Sequence, residues 1–95
     1  MFSKEQKTAI HDMRMRRGQD AEALLNNPLL VQTLDAMERD IIGTMKLLKP
    51  TDREGIDIAA RELRALERFR QKLQRYVKTG EESRKSLLQT IKDKI

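Results

Sequence analysis

Leu34, Met37, Ile41, Met45 and Leu48, then the break Lys49-Pro50-Thr51-Asp52, then Ala59, Leu63, Leu66, Leu73 and Val77 form the stretch that decides the fold. Within each set the apolar residues return at helical spacing, which gathers them on one side of a helix. Two such helices joined by so short a break predict an antiparallel helical hairpin, and hence an all-α fold. The first helix is expected from about Pro28 to Leu48, with Asn27 as its cap and Pro28 in a first turn that needs no backbone donor. Pro50 ends it by disfavouring helical geometry at Lys49. Thr51 with Glu54 reads as a capping box that starts the second helix, from about Asp52 to Lys78. Gly43 weakens the first helix by about 1 kcal/mol relative to alanine unless a neighbour packs closely against it.

Flanking segments are read from weaker signals. Residues 1–19, with scattered apolar positions at Phe2, Ile10 and Met13, read as a basic N-terminal arm or weak helix punctuated by Gly18. Asp20 then caps a short helix over Ala21–Leu25. Gly80 stands where a left-handed C-terminal cap belongs, and Glu81-Glu82 favours a fresh helix start, so the last segment is a separate short helix or a continuation past Gly80. The division is therefore 1–19, a hairpin domain over 20–79, and a C-terminal amphipathic helix over 80–95 carrying Leu87, Leu88, Ile91 and Ile95.

Of 95 residues, 38% are hydrophobic and 37% charged, tryptophan is absent, and Phe2, Phe69 and Tyr76 are the only aromatics. So small a core is marginal alone, and helical chains of this kind gain burial by joining a larger helical bundle. A homo-oligomer is the expectation. Without cysteine there are no disulfides, cysteine-ligated zinc or thiol nucleophiles. No apolar run approaches the roughly 20 residues of a membrane span, and no signal-peptide core precedes Met13, so a soluble protein of a reducing cytoplasm is expected.

The net charge of +5 is unevenly placed. Residues 1–20 carry five basic and three acidic groups, 21–60 four and seven, and 61–95 eleven and five. The acidic first arm can attract the basic second arm and consume part of this charge internally. On the second helix Arg61, Arg64, Arg68, Lys72 and Arg75 gather opposite the apolar seam, as a solvated or protein-facing surface or as contacts to phosphate. Arg14, Arg16 and Arg17 form the densest basic cluster, an ordinary soluble terminus, a protein-docking arm or a phosphate contact. Arg70 falls inside the apolar stripe, and hairpin register predicts an ion pair with Asp35, or with Glu38 as the alternative.

Nothing points to catalysis. His11 is the single histidine and reads as an exposed side chain, since neither converging metal ligands nor a nucleophile accompanies it. No glycine-rich phosphate loop, serine elbow or paired acidic motif is present. No enzyme, cofactor or metal is expected.

Taken in order, Asn27-Pro28-Leu29, Leu34-Asp35 with Glu38, Thr51-Asp52-Arg53-Glu54, Leu63 to Leu66 with Leu73, and Val77 to Gly80 form a pattern over residues 20–82. It resembles small helical proteins encoded among the virion-assembly genes of tailed bacteriophages and prophages. The pattern is one of common residues, and the chain departs from it in having Met45 where such proteins often carry an aromatic. The resemblance implies a non-enzymatic role in the phage head, its closure or DNA packaging, in the host cytoplasm or the virion. The leading expectation is an interaction module that binds itself or another phage protein, with Leu87, Leu88, Ile91 and Ile95 as its association surface. The alternatives are a small basic nucleic-acid-binding protein and a phage-encoded inhibitor docked on a host protein.

Overall fold

The fold is all-α, with three helices among the described residues: α1 (Lys4–Leu25), α2 (Pro28–Leu47) and α3 (Arg53–Asp93). The structure, a computed structural model, describes residues 3–94. Phe2 and Ile95, both named from the sequence, lie outside the described residues.

Local chemistry accounts for each helix end. Ser3 and Gln6 form a reciprocal capping box at the start of α1: the Ser3 amide donates to Gln6 Oε1 at 2.8 Å and the Gln6 amide to Ser3 Oγ at 3.2 Å. Asn27 caps α2, its Oδ1 accepting from the amides of Leu29 at 2.9 Å and Leu30 at 3.3 Å, with Pro28 next in line. At the far end Leu48 is extended, and its amide donates to the Met45 carbonyl at 3.2 Å. The cap of α3 is one residue later than the Thr51–Glu54 box. Asp52 Oδ1 accepts from the Gly55 amide at 3.0 Å, and Gly55 leaves that carboxylate room, since a Cβ there would lie 2.7 Å from Asp52 Oδ2.

The punctuation read at Gly18 is corrected, and of the two readings at Gly80 the structure has the continuation. α1 runs unbroken through Gly18 and α3 through Gly80, so the boundaries expected at 19/20 and 79/80 fall inside continuous helices. The residues form two compact units instead, one of Met1–Leu25 with Lys72–Ile95 and the other of Asn26–Gln71. Leu73 and Val77, read as the end of the hairpin seam, belong to the unit that contains α1.

In the unit built on α1, the glycines are where two helix backbones touch. A Cβ on Gly18 would lie 2.9 Å from the Tyr76 carbonyl oxygen and 3.0 Å from Gly80 Cα. A Cβ on Gly80 would lie 3.0 Å from the Arg14 carbonyl oxygen and 3.1 Å from Gly18 Cα. A Cβ at Gly18 would force the facing backbone to shift, and one at Gly80 would need it to give by a few tenths of an ångström, so hydrogen at both positions suits this crossing. Ala21 and Ser83, one turn on from each glycine, are 2% and 3% exposed and continue the contact with small side chains.

The other unit packs through larger side chains. Leu34 of α2 and Ala59 and Leu66 of α3 are buried, with Ile41, Met45, Leu48 and Leu63 half-buried around them. Arg70 contacts residues more than thirty positions earlier across the short link, so α2 and the start of α3 fold back on one another. Gly43 has nothing within 4 Å of where its Cβ would be, so no close packing offsets its helix-weakening effect.

Candidate functional site

Two helices can shield only one side of each other, and the unit of α2 with the start of α3 shows what that leaves. Leu30, Leu34, Met37 and Ile41 from α2 and Ala65, Leu66 and Phe69 from α3 line an open groove of about 740 Å³, with Thr33 beside them. Met37 and Phe69 are each 47% exposed although both are large and apolar. The charged residues of the lining are Asp40 and Glu62, so the groove is apolar along its floor and acidic at its edge. The sequence places Met37 on the apolar stripe of the hairpin and gives Phe69 no role. The signal that could have found the groove is Phe69 itself, four residues after Ala65 and three after Leu66, widening the apolar stripe beyond what one facing helix covers.

Arg70 stands beside this packing. Its Nη2 donates to Asp35 Oδ1 at 2.9 Å and its Nη1 to Glu38 Oε2 at 3.2 Å, so it reaches both carboxylates that the sequence offered as alternatives. Its side chain is 29% exposed and those of Asp35 and Glu38 are more so, which makes this a partly solvated fork. Among the described residues these are the only ion pairs, so the charges of the two arms are not consumed by pairing along their edges. Arg61, Arg64 and Arg68 are exposed, with no carboxylate oxygen within 4.0 Å among the described residues.

The unit built on α1 disposes of the remaining basic candidates differently. Arg17 is not part of a free arm: its guanidinium stacks 4.3 Å from the centre of the Tyr76 ring, and Lys72 Nζ lies 5.4 Å from the same centre. Arg14, Arg16 and Arg75 are exposed. His11 is half-buried rather than exposed, and its Nδ1 and the Nε of Arg17 are buried without a hydrogen-bond partner. Among the named association residues Leu87 is half-buried, while Leu88 and Ile91 are exposed.

Among the described residues no group of three or more histidine, cysteine, aspartate or glutamate side chains is placed to hold a metal ion. Among them too, no helix is long and apolar enough to cross a membrane. No family model matches the chain, and no curated protein or solved structure matches it.

Proposed function

We propose that this chain is a non-enzymatic α-helical interaction module of a tailed bacteriophage, acting in virion assembly or DNA packaging by binding copies of itself or another virion protein. The observation that carries the reading is the open groove between α2 and α3, where Met37 and Phe69 are half exposed over a floor of Leu30, Leu34 and Leu66. Apolar surface of this kind gains about 25 cal/mol for each Å² withdrawn from water, and another helix laid in the groove withdraws it. The phage assignment rests on the resemblance over residues 20–82.

Sedimentation equilibrium tests the association. The expected result is a mass above the 11.1 kDa of one chain, rising with concentration, and a constant 11.1 kDa contradicts self-association. In a phage that carries the gene, its deletion is expected to leave heads unfinished or unfilled while early expression proceeds. A block in early expression instead favours the host-inhibitor alternative.

A second reading, nucleic-acid binding, draws support from Arg61, Arg64 and Arg68, which share a side of α3 and have no carboxylate partner among the described residues. It expects log affinity to fall with log salt at a slope of roughly −2.7 for three phosphate contacts. Replacing Arg64 and Arg68 with alanine should flatten that slope. Binding that does not change on those substitutions argues against it.

A further inference from the structure

Self-association leaves open which surface meets which, and the distribution of charge decides between the arrangements. The groove of α2 and α3 is apolar with Asp40 and Glu62 at its edge. Near the end of α3, Leu88 and Ile91 are exposed, with Lys85 three residues before Leu88 and Lys92 four after it. That spacing places both lysines on the same side of the helix as Leu88. The lysines have no ion-pair partner within 4.0 Å among the described residues.

Resting on the self-association reading, we propose that copies join head to tail, the Lys85–Leu88–Ile91–Lys92 stripe of one copy seated in the Asp40- and Glu62-edged groove of the next. Groove against groove would set Asp40 and Glu62 of both copies facing each other, and stripe against stripe would do the same with Lys85 and Lys92. Like charges brought together at an interface oppose both symmetric pairings, and groove against stripe is the pairing in which apolar meets apolar and acid meets base. A head-to-tail contact uses different surfaces on its two sides, so it either closes into a ring or continues as a filament.

Two variants and their mixture test this. Phe69→Glu spoils the groove, and Leu88→Glu with Ile91→Glu spoils the stripe; circular dichroism checks that each keeps its helix content. By sedimentation each variant alone is expected at 11.1 kDa. Mixed in equal amounts, they retain one intact groove and one intact stripe between them, and the expected species is a dimer that grows no further. The proposal is overturned if the stripe variant assembles as the wild type does, or if the mixture stays monomeric. A wild-type chain that is itself monomeric overturns the self-association reading, a separate result.

Should Phe69→Glu lose helix content, the charge-reversed variants Asp40→Lys/Glu62→Lys and Lys85→Glu/Lys92→Glu take their place. Each is expected to weaken assembly alone, and mixing them restores growth beyond a dimer, because the groove of each variant then complements the stripe of the other; unchanged assembly in either one alone, or a mixture that stays monomeric, overturns the proposal.

Discussion

The two compact units hold their helices together by opposite means. In the unit of α1 with the end of α3, backbone meets backbone at Gly18 and Gly80, and the buried side chains beside them are as small as Ala21 and Ser83. In the unit of α2 with the start of α3, Leu34 and Leu66 fill the contact, Arg70 forks onto Asp35 and Glu38, and a wide apolar groove stays open. Small residues give closeness with little apolar area, so that contact depends on geometry and tolerates no added volume. Large residues give area with room to spare, so the second contact tolerates change and has a face to offer a partner.

The comparison breaks most visibly at the glycines. Gly18→Leu puts a branched side chain where even a Cβ meets the Tyr76 carbonyl at 2.9 Å. Overpacking of this kind costs about 3 kcal/mol, and denaturant unfolding should show that loss. Alanine sharpens the point. At Gly18 or Gly80 the helix-propensity gain is outweighed by the clash, and a net loss of about 1 kcal/mol is expected. At Gly43, where a Cβ meets nothing within 4 Å, the same substitution should stabilise by about 1 kcal/mol. A stabilised Gly80→Ala would mean that the helices do not approach as closely as described.

Smaller effects belong to single contacts. Removing the α2 cap with Asn27→Ala should cost about 1 kcal/mol in the same unfolding experiment, because the amides of Leu29 and Leu30 lose their acceptor. Arg70→Met keeps a stem of similar length and removes the fork. Because Asp35 and Glu38 are substantially solvated, the expected loss is about 0.5 kcal/mol. A loss of several kcal/mol would instead mark Arg70 as the residue that holds the register of α2 against α3.

The same contrast explains what was legible in the sequence. Helix α2 announces itself because Asn27, Pro28 and Pro50 act locally and its apolar residues recur with a period. Arg70 was legible because it interrupts a stripe whose fold-back register points to Asp35 and Glu38. Helix α1 offers no such period: its buried residues, Gly18 and Ala21, are too small to stand out, and its larger apolar side chains are not gathered on one side. Only the Ser3–Gln6 box marked it locally.

Gly18 and Gly80 each have two opposite readings, as a break or as a place of close approach, and only the other helix chooses between them. Neither glycine explains itself without its partner. The groove was hidden for a different reason. Spacing identifies which residues can face a neighbour, and Met37 does lie on that side of α2, but spacing does not measure how much of the side one neighbour covers.

Whether the face of α2 and the start of α3 is where partners bind is tested most directly by following the methionine methyl resonances as protein concentration rises. Met37 lies in the groove, and Met13, exposed on α1, serves as the control. The account predicts that the Met37 signal shifts or broadens with concentration while that of Met13 stays in place. A Met37 signal that does not move while the sedimenting mass increases would contradict it.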